Sequence, residues 1–262
     1  MYLDIKLEKG LYVAKNKKLK LPNTSLATQS NELIEASYKM SVSAKRVMLM
    51  LLSHIHPCQQ DISGKIRIEA SDYAKKTGVS FKQSYSDIQN GCRELMGTII
   101  TTKDHVAKTT EACVVVHWMK YHENEGWLEA TFTPWIAPFI HKLRGIGYKT
   151  LEINQALKFK RFYTIRLYEL LMQWESSGIR LITLEDLRLS FNIEKKTYPA
   201  FKDFRVKVLE PSIKEIEQKT SWNVSYQSKK TGNKVTSFYF SFSKNKEEQK
   251  SERCPDTMEM FA

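Results

Sequence analysis

Between Lys195 and Lys234 the sequence places ten Lys and Arg against four Asp and Glu, a net charge of +6 in forty residues. Such side chains donate to phosphate oxygens and to the guanine acceptors of a DNA major groove. Lys202, Arg205 and Lys207 fall on a segment of helical period, and Lys229, Lys230 and Lys234 on a turn between two alternating segments. This predicts base-edge contacts from the first set and phosphate contacts from the second. Asp203, four residues before Lys207, competes for it as an ion-pair partner. A second polar set, Lys82, Gln83, Ser86, Gln89 and Asn90, shares one face of an earlier helical segment. Gln and Asn match adenine, so that face is a candidate for DNA contact, with a plain solvated surface as the competing reading.

Enzyme chemistry finds less support. His54-Ile55-His56 has the His-hydrophobic-His pattern of metal-dependent nicking enzymes of the rolling-circle type. A strand would put both imidazoles on one face, but this pair ends a helical segment, where residues two apart diverge by about 200°. Neither a G-x-x-x-x-G-K-[ST] phosphate loop nor a G-x-S-x-G elbow occurs. Cys58, Cys92, Cys113 and Cys254 form no C-x-x-C pair, which argues against a zinc finger or a disulfide framework and for a reducing, cytoplasmic setting. No catalytic residue, metal or cofactor is assigned.

The elements that must position these groups follow from size and pattern. At 262 residues the chain exceeds what one core usually sustains, so two domains are expected. The 41 Lys and Arg outweigh the 29 Asp and Glu, leaving +12, a surface that attracts polyanions. No apolar run is long enough for a membrane span. An internal echo organises the rest: Ile68 to Val79 can be laid over Ile182 to Ile193 at an offset of 114 residues. Each copy reads as a short strand, a helix with an acidic first turn, and a longer amphipathic helix. The apolar stripe of that longer helix runs Tyr85, Ile88, Cys92, Leu95, Ile99 in the first copy and Val206, Leu209, Ile213, Ile216 in the second. Pro211 removes a backbone hydrogen bond, so a bend is expected there.

Alternation then replaces the helical period. Trp222, Val224 and Tyr226 precede, and Phe238, Phe240 and Phe242 follow, a turn containing Gly232-Asn233. Val114, Val116 and Trp118 likewise lead to a turn at His122–Gly126, from which Trp127–Phe132 returns. Helix, helix, hairpin, twice over, gives an α+β fold of two tandem winged helix-turn-helix domains related by internal duplication. The expected boundaries are a basic, mobile arm at 1–28 with Lys15, Lys17, Lys18 and Lys20, a first domain at 29–144, a second at 145–243, and a disordered tail at 244–262. The first wing carries Glu123, Glu125 and Glu129, which phosphates would repel. Val114, Val115, Val116 and Trp118 form an apolar tract that could pair with a second copy of the chain if it lies at a sheet edge. In the tail, Met258, Met260 and Phe261 resemble the anchors of short peptides that dock in sliding clamps, with Thr257 where Gln is usual.

Over residues 29 to 243 the chain resembles the iteron-binding replication initiator (Rep) proteins of plasmids. Gln29–Tyr38 and Ala44–Met48 look like that family's opening segment, and Tyr163–Leu171 like its central helix. Phe201–Arg205 and Glu210–Ile216 are similar to its second recognition helix. The resemblance implies a protein that binds iterons in double-stranded DNA as a monomer, helps open the adjacent duplex and recruits the host initiator and replicative helicase. It also implies a homodimer, formed largely through the first domain, that represses its own promoter at an operator. Its main base contacts would fall on Lys202, Arg205 and Lys207. A two-domain transcription regulator without an initiation role is the alternative.

Overall fold

The computed structural model describes residues 25–55, 64–104, 108–122, 125–140 and 147–245. Residues 1–24 of the basic arm, Cys58, Cys254, His56, Glu123 and the tail anchors Met258, Met260 and Phe261 lie outside these residues, whereas Leu26, Ala27 and Thr28, expected in the mobile arm, are part of a paired strand.

Strand β1 (Leu26–Ser30) and helix α1 (Asn31–Glu35) lead into α2 (Val42–Ser53). Ser41 caps α2 by accepting the Ala44 N–H at 3.1 Å, and every side chain from Ala44 to Ser53 is buried, so α2 is the spine of the first domain. Strand β2 (Ile66–Glu69), α3 (Ala70–Thr77) and α4 (Phe81–Gly97) follow. Gly78, with φ +75°, closes α3 in the left-handed conformation that lets the chain turn within three residues into Ser80, the cap of α4. Strands β3 (Ile99–Asp104) and β4 (Thr109–Val114) form a hairpin of their own, and β5 (Val116–His122) and β6 (Trp127–Phe132) a second. Helix α5 (Ala137–Ile140) completes this part.

After β7 (Tyr148–Glu152) and α6 (Ile153–Ala156), α7 (Phe162–Met172) begins the second unit, with β8 (Ile179–Thr183), α8 (Leu184–Ser190), α9 (Phe201–Phe204), a π-helical turn at Arg205–Leu209, α10 (Glu210–Lys219), β9 (Trp222–Thr231) and β10 (Lys234–Lys244). The two antiparallel sheets have the same order, β2-β6-β5 and β8-β10-β9. The fold is therefore two winged helix-turn-helix units, with the β3–β4 hairpin as an insertion in the first. Shortly after the expected boundary between residues 144 and 145 comes β7, which pairs with β1 from Leu26↔Glu152 to Ser30↔Tyr148.

Three expectations need correction. Ile99 starts β3 and is exposed, because α4 ends at Gly97; only Ile88, Cys92 and Leu95 of the expected stripe are fully buried, with Tyr85 half-buried. Val206 is 48% exposed, because the π-helical turn adds a residue to the register and the buried set becomes Phe204, Val208, Leu209, Ile213 and Ile216. The apolar tract of the first domain is not one strand: it breaks at Val115, whose carbonyl accepts the Thr133 N–H at 3.0 Å. Val115 and Val116 are fully buried within their own domain and offer no side chain to a partner, whereas Val114 and Trp118 are half-buried.

The units are joined by buried charge. Arg166 on α7, fully buried, donates to the carbonyls of Ile34 (2.7 Å), Ala36 (2.9 Å) and Ser190 (3.1 Å) and to the Glu169 carboxylate (2.9 Å). Glu169 also receives Lys45 of α2 at 2.7 Å and Gln29 of β1 at 3.1 Å. Burial alone would raise the Glu169 carboxyl, but Lys45 and Arg166 outweigh it and hold the group below its ordinary range. A charge cluster this deep persists only when each member is paired and hydrogen-bonded, which fixes how α7 sits against α1 and α2.

Candidate nucleic-acid interface

The second reading helix, α9 through α10, has its buried side on the β10 aromatics, Phe201 lying 5.8 Å from Phe238 between ring centres. Its outward side presents Lys202, Arg205, Val206 and Lys207, all exposed. In the π-helical turn the Glu210 N–H bonds back to the Arg205 carbonyl, five residues earlier, just before Pro211. Pro211 has no N–H to give and its ring crowds the preceding turn, so the wider turn relieves the conflict that a regular helix would suffer. The hydrogen-bond loss expected at Pro211 is accompanied by this widening at Arg205–Leu209, and three consecutive residues, 205 to 207, face outward.

The local charges are arranged around that surface. Arg205 Nε is 3.3 Å from Glu210 Oε1, both groups about half exposed. The Lys207 ammonium lies 5.5 Å from the centre of the Tyr198 ring and makes no ion pair with Asp203, because the widened turn removes their four-residue neighbour relation. Burial and the Glu210 carboxylate push the Tyr226 phenol up while Arg205 opposes them. At the hairpin tip Gly232, φ +60°, takes the first central position of a two-residue turn, and Lys229, Lys230 and Lys234 flank it, all exposed. Thr236 is bulged out of register between Val235 and Ser237, which adds twist at the base of the wing.

Arg188 was not singled out by sequence. From α8 it donates to the carbonyls of Glu194 (2.6 Å), Thr197 (2.5 Å) and Tyr198 (3.1 Å), holding the long turn that delivers the chain into α9. Only the strained backbone at Asn192 and Tyr198, φ +50° and +55°, marks that turn as one needing such support. Val206, which the helical period assigns to the core, stands on the helix's outward face.

In the first unit Lys82, Gln83, Ser86 and Asn90 are exposed on α4 and Gln89 half-exposed. Gln83 donates to Asp87 at 2.7 Å and Asn90 to Ser86 at 3.1 Å, so part of this face is engaged with itself. The wing of this unit is acidic: Glu125 accepts the Trp127 indole N–H at 2.7 Å, and His122, stacked on Trp127, lies 3.7 Å from Glu129. His54 closes α2, its Nδ1 2.8 Å from the Met50 carbonyl, and no group of His, Cys, Asp and Glu that could hold a metal occurs among the described residues. No helix among them is long and apolar enough to cross a membrane.

A duplicated unit whose second copy carries a cationic helix and a cationic wing defines a two-domain, winged-helix DNA-binding protein. The chain belongs to the family of initiator replication proteins of plasmids: residues 26–172 match the family profile "Initiator Replication protein, WH1" and residues 183–242 the profile "Initiator Rep protein, WH2". Among curated proteins it is similar to the Escherichia coli PI protein, 26% identical over 248 residues, covering 81% of this chain and 80% of that protein. An uncharacterized 27.6 kDa protein of Escherichia coli is 26% identical over 227 residues, covering 80% and 90%. Among solved structures it resembles the Pi initiator protein in complex with iteron DNA, with a TM-score of 0.74 and 22% identity over 87% of this chain and all of that one.

Proposed function

We propose that this chain initiates replication by binding iteron repeats in duplex DNA at a plasmid origin, as the complex of the similar Pi initiator with iteron DNA suggests. The observation that carries the reading is the outward face of the second helix, where Lys202, Arg205, Val206 and Lys207 stand together beside a wing tipped by Lys229, Lys230 and Lys234. In this reading Arg205 and Lys202 donate to base edges, Val206 meets a thymine methyl, and the wing lysines hold phosphates. The α4 face of the first unit, through Lys82, Gln83, Ser86, Gln89 and Asn90, adds an auxiliary contact, and the acidic wing stays away from the backbone.

Dimerisation and self-repression are part of the same proposal. With Val115 and Val116 buried, the partner surface reduces to the strand edges and to Val114 and Trp118, and β5 is the outer strand of its sheet. Opening of the adjacent duplex and recruitment of host initiator and helicase follow from the initiator role. The test is a footprint on DNA flanking the gene. Protection of direct repeats by purified protein is expected, together with loss of replication when the gene is deleted from its replicon. Protection of a promoter with replication unaffected would replace the initiator by a transcription regulator.

A further inference from the structure

Between the two units, α2, the end of α3, the segment Lys158–Lys160 and the end of α10 enclose a cleft of about 730 Å³. Six cations line it, Arg46, Lys75, Lys76, Lys158, Lys160 and Lys219, with Asp87 as the carboxylate among them. Lys76 is paired with Asp72 at 2.9 Å, and Asp87 already accepts from Tyr73 (3.2 Å) and Gln83 (2.7 Å). Lys75, Lys158, Lys160 and Lys219 are exposed and make no ion pair among the described residues. Arg46 is 6% exposed; its Nη2 donates to the Phe159 carbonyl at 2.9 Å, but its Nε is buried without a partner.

Converging like charges repel unless an anion lies among them. The cleft thus has the composition of an anion site. Its position narrows the ligand. One side is the helix-turn-helix turn of the first unit, Lys75 to Val79, and the other is the C-terminal end of the second unit's reading helix at Lys219, twelve residues beyond Lys207. A duplex engaging both reading helices carries its backbone across the seam between them. We propose that this cleft seats the sugar-phosphate backbone between the two segments the helices read, fixing their spacing on the DNA. The inference rests on the DNA-binding reading above.

The test compares full-length wild type with Lys158→Gln/Lys160→Gln, two exposed positions, and with Lys39→Gln/Lys120→Gln, exposed lysines outside the cleft. Binding to a duplex of the flanking direct repeats is measured across a salt series, and again with methylphosphonate linkages between the two contacted segments. Each lost phosphate contact lowers the slope of log K against log salt by about 0.9, so the cleft variant is expected to be less steep by about 2 and the control unchanged. The neutral linkages should weaken wild type and leave the cleft variant little affected. An unchanged slope, with full sensitivity to the neutral linkages, would overturn the proposal while leaving the role of Arg205 intact. Inorganic pyrophosphate bound by wild type but not by the cleft variant, with the DNA slope unaltered, would assign the cleft to a free polyphosphate instead. Failure of wild type to bind the repeats at all would sink the functional reading, and this proposal with it.

Discussion

At the scale of single residues, Arg205 and Lys230 separate reading from holding. The Arg205–Glu210 pair is exposed, and pairs of that kind contribute little, so the guanidinium can exchange Glu210 for a base edge. Arg205→Ala should weaken cognate binding by about 1 to 3 kcal/mol and relax base preference, whereas Lys230→Ala should weaken all sequences alike and flatten the salt dependence. Equal losses on cognate and random duplex for Arg205→Ala, in a competition titration, would refute its reading role. Val206 gives a sharper measurement. One methyl-sized contact is worth about 0.8 kcal/mol, so replacing the contacted thymine by deoxyuracil should cost wild type roughly fourfold and Val206→Ala almost nothing. An identical penalty in both proteins at every thymine of the repeat would mean that Val206 touches none of them.

At the scale of elements, packing explains both what the sequence made legible and what it hid. The stripe Ile88, Cys92, Leu95 could be read because α4 buries one side against α2. Gly91 on that side approaches the backbone closely: a Cβ there would sit 2.9 Å from the Ser43 carbonyl oxygen and 3.0 Å from Val47. Gly91→Ala should therefore destabilise by about 1 kcal/mol or more in denaturant titration, overpacking outweighing the gain in helix propensity. Gly97→Ala, with open space around it, should be neutral or mildly stabilising. The hidden features share a cause. Ile99 extended a four-residue step that the helix had already abandoned. Pro211 announced a missing hydrogen bond but not the added residue that turned Val206 outward. Arg188 works on carbonyls six to ten residues ahead, a relation without periodicity. The cationic cleft draws on positions from 46 to 219, which only the tertiary fold brings together.

At the scale of the whole molecule, reading two segments of one duplex requires the two units to keep a fixed relation, and the Lys45–Glu169–Arg166 cluster is what ties α7 to α1 and α2. Its members were legible only as part of a resembling stretch, since no sequence pattern marks a charge for burial. Glu169→Gln keeps the shape and leaves two buried cations without their carboxylate, which should cost about 3 to 5 kcal/mol at neutral pH. The pH dependence has a definite sign. Because Glu169 titrates below its ordinary value of 4.5 in the folded chain, its contribution is complete above that value and is lost as pH falls further, through the lowered folded value. Urea titrations should thus find wild type and Glu169→Gln furthest apart from neutral pH down to the upper edge of that window, and converging below it. A constant gap down to strong acid would mean that the carboxylate's charge is not what joins the units. A loss of paired-site binding larger than the loss on a single isolated segment would locate the damage in their relative placement.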